Sequence, residues 1–165
     1  MITSSFVRRT SPLANLFARS VTEDAPEPHD ASGDGRFKGS LQLRHVDAGS
    51  CNGCELEIAS AFGPVWDAGR YGASLVASPR HADGLLVTGV VTRNMVTPLA
   101  KALDAVPRPR VVVACGECAV SGGVYADAYG VAGPLSDHAP IDVEIPGCPP
   151  DPSAITKALR GLTGR

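Results

Sequence analysis

"RVVVACGECAVSGG", residues 110–123, runs Val111 to Cys115 without a charged or strongly polar side chain and then breaks into a glycine-marked turn. A β-branched run with no polar alternation is the pattern of a strand covered on both faces, the condition of a parallel sheet inside an α/β domain. "GLLVTG" (84–89) has the same texture. Working outward, "LQLRHV" (41–46), "ASLVAS" (73–78) and "IDVEIP" (141–146) are further short runs followed by turn chemistry. Between them lie three helix-like stretches, "CELEIASAFG" (54–63), "NMVTPLAKALDAV" (94–106) and "PSAITKALRGL" (152–162). Strands alternating with helices predict a parallel α/β sheet.

Bulk properties agree with a single domain plus a tail. The 165 residues hold 18 glycines and 14 prolines against 5% aromatics, a balance that suits tight turns better than an all-helical bundle. A formal charge of −2 offers no basic field, which excludes a nucleic-acid partner. No stretch approaches the roughly 20 apolar residues of a membrane span, so membrane contact is expected to be peripheral. Residues 1–39 read as tail and linker. Residues 6–19 mix Phe6, Val7, Leu13, Leu16 and Phe17 with arginines, the pattern of a short amphipathic docking helix, with a disordered tail as the competing reading. The twin arginine Arg8–Arg9 lacks the apolar region and cleavage site of an export signal: Pro12 breaks the following stretch and Arg19 ends it. "TEDAPEPHDASGDGRFKG" (22–39) has a linker's composition, and the folded domain is expected over 40–165.

Five cysteines are too few for a disulfide scaffold and odd in number. Cys51 and Cys54 follow the first strand, Cys115 ends the fourth, Cys118 lies three residues on, and Cys148 follows the last strand. In an open α/β sheet, sites form outside the carboxyl ends of the strands. Three separate strand–loop junctions therefore aim thiols at one sheet edge. Cys51, Cys54, Cys118 and Cys148 make a four-thiolate shell suited to one [4Fe–4S] cluster. Glycines 53, 116, 122, 123 and 147 let backbone N–H groups approach the sulfurs. Cys115 reads as a buried small apolar residue at a strand end. The alternatives are a thioredoxin-like CxxC pair, which leaves the other cysteines unexplained, and a structural four-cysteine zinc scaffold, whose ligands usually come as two local CxxC pairs.

"CNGCELEI", "SPRHADGLLVTGVVTRNM", "PRPRVVVACGECAVSGGVY" and "IPGCPPDP" together resemble the small-subunit family shared by energy-converting [NiFe] hydrogenases, formate hydrogenlyase and respiratory complex I. The resemblance runs in order from about residue 41 to the C-terminus. It implies a flavodoxin-like domain with helices on both faces and one [4Fe–4S] cluster on Cys51, Cys54, Cys118 and Cys148. Complex I members resemble "CC" at the first ligand pair, whereas this chain has "CNGC". That spacing and "RHAD" (80–83) are closer to the formate-hydrogenlyase and hydrogenase branch. The chain also lacks the additional ferredoxin-like cysteines of exported uptake hydrogenases.

The resemblance implies an electron relay in an oxidoreductase complex on the cytoplasmic face of the membrane. Its partners would be a large catalytic subunit of [NiFe] or quinone-module type, a ferredoxin-like iron–sulfur subunit and, indirectly, membrane subunits. The quinone-reducing complex I module is the runner-up. For proton coupling, Glu57 is expected to share a helix face with Cys54 while Glu55 turns away. The family resembles a Glu at position 57; a carboxylate satisfying helix N-terminal amides is the competing role. Arg80, His81 and Asp83 begin a strand at its amino end and read as fold or interface residues. Arg93 and Asn94 fall on the cluster side and read as partner contacts, with a solvated helix start as the plainer account.

Overall fold

The computed structural model describes residues 37–165. Arg8, Arg9 and the docking helix expected over 6–19 lie outside the described residues. The elements are β1 (Leu41–Asp47), α1 (Gly53–Ala61), β2 (Ala73–Leu75), β3 (Gly84–Thr88), β4 (Val91–Thr92), α2 (Val96–Ala105), β5 (Val111–Cys115), α3 (Glu117–Ser121), β6 (Val131–Gly133), β7 (Val143–Ile145) and α4 (Pro152–Thr163). All five expected strands and all three expected helices are present. The main sheet has the order β2-β1-β3-β5-β7, and every neighbouring pair is parallel. With β4 and β6 set aside, this is the flavodoxin-like 2-1-3-4-5 order.

The uninterrupted apolar strands are explained by a core on each side. On one face Leu41, Leu43, Leu86, Val111, Val113 and Cys115 pack with Ile58 and Ala61 of α1 and Ile155 and Leu159 of α4. On the other, Val46, Leu85, Val87, Val112 and Ala114 pack with Leu99 and Leu103 of α2 and Ala119 of α3. Alternate residues of one strand thus serve opposite cores. The Asp151 side chain starts α4 by accepting from Ser153 N at 2.8 Å, and Pro152 occupies the first turn, where no intrahelical donor is lost. Ile155, Leu159 and Thr163 then form its buried stripe at a spacing of four. Burial of Ile155 and Leu159 is worth about 1.5–3 kcal/mol each.

Asp83 and Asp142 fix strands at the opposite end from the cysteines. Asp83 Oδ2 accepts from Gln42 N and Asp142 Oδ2 from Val112 N, each at 2.8 Å. Asp83 therefore has the fold role anticipated for it. Arg80 and His81 are exposed in the 3-10 turn Pro79–His81. Phe37, assigned to the linker in the sequence reading, is buried with the α1/α4 core, and Gly39 N donates to Thr163 O at 2.9 Å. The packed unit therefore includes residues before Ser40. The small antiparallel β4–β6 pair was not expected, because two- and three-residue strands are too short to show a period.

Candidate metal centre

The sheet order changes direction at β1, with β2 on one side and β3 on the other, and the crevice beyond such a point is where open α/β sheets bind. The loop after β1 is shaped by its own polar groups. Asp47 Oδ1 accepts from Gly49 N and Ser50 N, at 2.9 and 2.7 Å, and Ser50 Oγ accepts from Asn52 N at 3.0 Å. Asn52 takes the left-handed conformation, φ 74°, which Asn tolerates better than most residues. Cys51 is thereby held in the loop and Cys54 in the first turn of α1. The second arm is the tight passage from β5 into α3. There Gly116 N donates to Ile145 O at 2.8 Å and Glu117 N to Gly147 O at 2.7 Å. These two bonds stitch the Cys118 turn to the loop carrying Cys148.

Burial divides the thiols into a floor and a rim. Cys54 and Cys118 are buried, and Cys51 and Cys148 are exposed. The Cys54 thiol is pushed up to about 11, first by burial and then by Glu55, Cys118, Cys51 and Cys148. Cys118 is also raised, by burial and then by Cys148 and Cys51. Cys115 is fully buried, as expected, and is pushed up to about 12 by burial, then by Cys54 and Glu55. Cys115 ends β5 with its side chain in the α1/α4 core. The loops after β1, β5 and β7 thus bring Cys51, Cys54, Cys118 and Cys148 to one edge of the parallel sheet. Among the described residues, no three His, Cys, Asp or Glu side chains are close enough together to form a single-ion shell.

A cluster needs room beside its sulfurs, and Gly116 provides it. Its φ of 92° and ψ of 152° belong to a region essentially reserved for glycine, and a Cβ there would lie 2.5 Å from Cys54 Sγ. The donor set, the glycine approach and the thiol convergence fit an iron–sulfur cluster held at a surface edge.

The carboxylates differ from expectation. Glu55 does not turn away: Ser50 Oγ donates to its Oε2 at 2.6 Å, Thr88 Oγ1 donates to its Oε1, and His45 Nε2 lies 3.5 Å from Oε1. The three-residue helix spacing did not include the sheet below α1, towards which position 55 points. Glu57 is half-buried, and its side chain makes no hydrogen bond or ion pair among the described residues. The available signal for the network was Thr88, the polar exception in the buried strand "GLLVT". Arg93 and Asn94 are exposed, and Arg93 stacks over Tyr129 at 4.8 Å from the ring centroid, with Arg93 N donating to Gly130 O.

Fold and site together define a flavodoxin-like α/β domain that presents a set of converging cysteines at the carboxyl edge of its sheet. The chain belongs to the family of the NADH ubiquinone oxidoreductase 20 Kd subunit, which matches over residues 51–162. It is 47% identical over 119 residues to formate hydrogenlyase subunit 7 of Escherichia coli, covering 72% of this chain and 47% of that protein. It is also 47% identical over 111 residues to the probable membrane-bound hydrogenase subunit mbhJ of Pyrococcus furiosus, covering 67% and 66%. The chain therefore spans about half to two thirds of the length of these relatives. A solved structure of the membrane-bound sulfane sulfur reductase (MBS), an archaeal respiratory membrane complex, aligns with a TM-score of 0.67 at 33% identity, covering 77% of this chain and 70% of that one. The matched family is, by its description, that of an oxidoreductase subunit. No helix among the described residues is long and apolar enough to cross a membrane.

Proposed function

We propose that this chain is an electron-transfer subunit holding one [4Fe–4S] cluster on Cys51, Cys54, Cys118 and Cys148, and that it serves the large catalytic subunit of a hydrogenase or formate-hydrogenlyase-type complex. One observation carries the reading: the cysteines that follow β1, β5 and β7 stand at the carboxyl edge of one parallel sheet, with Gly116 against Cys54 Sγ, while the fifth cysteine is buried at the end of β5. Bound there, the cluster supplies one-electron redox chemistry. The chain's own residues fix where that chemistry happens. Cys54 and Cys118 hold the inner side away from water, and Cys51 and Cys148 bring the outer side to the surface, where a partner's redox centre can approach.

The hydrogenase branch is favoured over the quinone-reducing module by the "CNGC" spacing and by the 47% identity to two hydrogenase-type subunits. Assembly would place the protein peripherally on the cytoplasmic face of the membrane, between a ferredoxin-like iron–sulfur subunit and the large subunit. Glu57, half-buried on α1 without a polar partner, is the proposed proton-coupling group at that seam. Arg93, stacked on the exposed Tyr129, is a proposed contact of the large subunit.

The test is an iron, sulfide and zinc count on anaerobically purified chain, with an EPR spectrum after dithionite. About four irons and four sulfides per chain with a reduced-cluster signal are expected. One zinc without iron would replace this reading with a structural four-cysteine scaffold.

A further inference from the structure

Four polar side chains from four places meet beneath the Cys51–Cys54 loop: His45 of β1, Ser50 of the loop, Glu55 of α1 and Thr88 at the end of β3. Thr88 is completely buried and stands opposite Cys115 in the β3–β5 register. Its hydroxyl donates to Glu55 Oε1, so its 3.0 Å contact with His45 Nε2 must be one in which the imidazole donates. The other carboxylate oxygen accepts from Ser50 Oγ, which in turn accepts from Asn52 N, between the two cysteines. An unbroken path therefore leads from two sheet strands through one carboxylate to the backbone of the cysteine loop. Removing Glu55 would cut that path and leave the buried Thr88 hydroxyl without its acceptor.

Charge adds a second aspect. Glu55 directly follows Cys54 at the start of α1, so a carboxylate stands next to a proposed ligand in the chain. Its two carboxylate oxygens accept from the Ser50 and Thr88 hydroxyls, which holds the group beside the loop that carries Cys51 and Cys54.

We infer that Glu55 is a positioning residue that clamps the Cys51–Cys54 loop onto the ends of β1 and β3, and whose charge weights the centre against taking up an electron. The inference rests on the cluster reading proposed above. A purely structural carboxylate would share the clamp but not the charge effect, so the two are separated by a variant that keeps shape and removes charge.

The experiment compares the full wild-type chain with Glu55→Gln and Glu55→Ala, all prepared anaerobically. The readouts are iron and sulfide per chain and midpoint potential from an EPR-monitored titration. E55Q is expected to keep its iron and sulfide and to shift the one-electron equilibrium about tenfold towards the reduced form, a rise of about 59 mV. E55A is expected to lose iron and sulfide as well. Should E55Q also lose its iron, Glu55→Asp must retain iron at the wild-type potential, and an E55D chain without iron overturns the inference. A wild type with a normal cluster and an E55Q potential equal to it overturns the inference and leaves the cluster reading intact. Wild-type chain with zinc and no iron overturns the cluster reading and takes this inference with it.

Discussion

Replacing Gly116 by Ala tests the geometry of the centre with a single methyl group. The residue's φ of 92° and ψ of 152° cost a side-chain-bearing residue about 1–3 kcal/mol. The new Cβ would fall 2.5 Å from Cys54 Sγ, and Cys54 is only 7% exposed in a packed helix start, so the sulfur cannot swing freely. Overpacking of this kind costs about 1–3 kcal/mol more. A total of about 2–6 kcal/mol is a large share of the roughly 5–15 kcal/mol that holds a domain folded. At about 2–4 °C per kcal/mol, the metal-free chain should melt roughly 5–20 °C lower. Thermal unfolding followed by circular dichroism measures the loss, with Gly161→Ala as control. Gly161 has no atom within 4 Å of the added methyl and sits inside α4, so G161A should gain about 0.5–1 kcal/mol. A double-mutant cycle divides the two costs: in a Cys54→Ala background the clash disappears and only the backbone cost remains. G116A melting with the wild type, or costing the same with and without Cys54, would refute the close approach.

Cys118→Ser should lower iron and sulfide content sharply, whereas Cys115→Ser should leave both near wild type; the reverse result would exchange the two residues in the ligand set. Cys115 also predicts an alkaline weakness. Its folded thiol is pushed up to about 12 and the unfolded one ionises near 9, so its contribution is fully present below about pH 9. As pH rises towards 12, stability falls by about 1.4 kcal/mol per unit, and Cys115→Ala should flatten that slope in urea melts of the metal-free chain. Asp83→Ala leaves the Gln42 amide without its side-chain acceptor and should cost about 1–3 kcal/mol in the same melts, with unchanged iron per folded chain.

The main sheet was legible because each of its strands carries its own signal. Val111–Cys115 and Gly84–Thr88 are apolar on both faces, and the structure puts a core on each side of them. The grouping of the cysteines was legible for a topological reason: parallel strands point the same way, so whatever follows them arrives at the same edge. Less legible were features set by neighbours distant in sequence. The direction of Glu55 depends on Thr88, 33 positions away, and on His45 beneath α1. The β4–β6 pair joins segments too short to show a period, and Phe37 joins the core through packing that no local pattern announces.

Distributing the thiols over several elements has a consequence that a local metal knuckle lacks. Cys51 and Cys54 depend on the end of β1 and the start of α1, Cys118 on the turn after β5, and Cys148 on the loop after β7. Their relative positions are therefore set by the register of the whole sheet, and the hydrogen bonds from Gly116 and Glu117 to the β7 end carry that register into the site. A shift of β1, β5 or β7 moves a cysteine. Ligand binding should in return stabilise the sheet as a whole, because a group held only by the folded chain adds its binding free energy to folding. The proposed relay would gain from this arrangement: a centre tied to the rigid sheet would keep a fixed distance from whatever docks against its exposed rim, while Cys54 and Cys118, both buried, would keep its inner side from solvent.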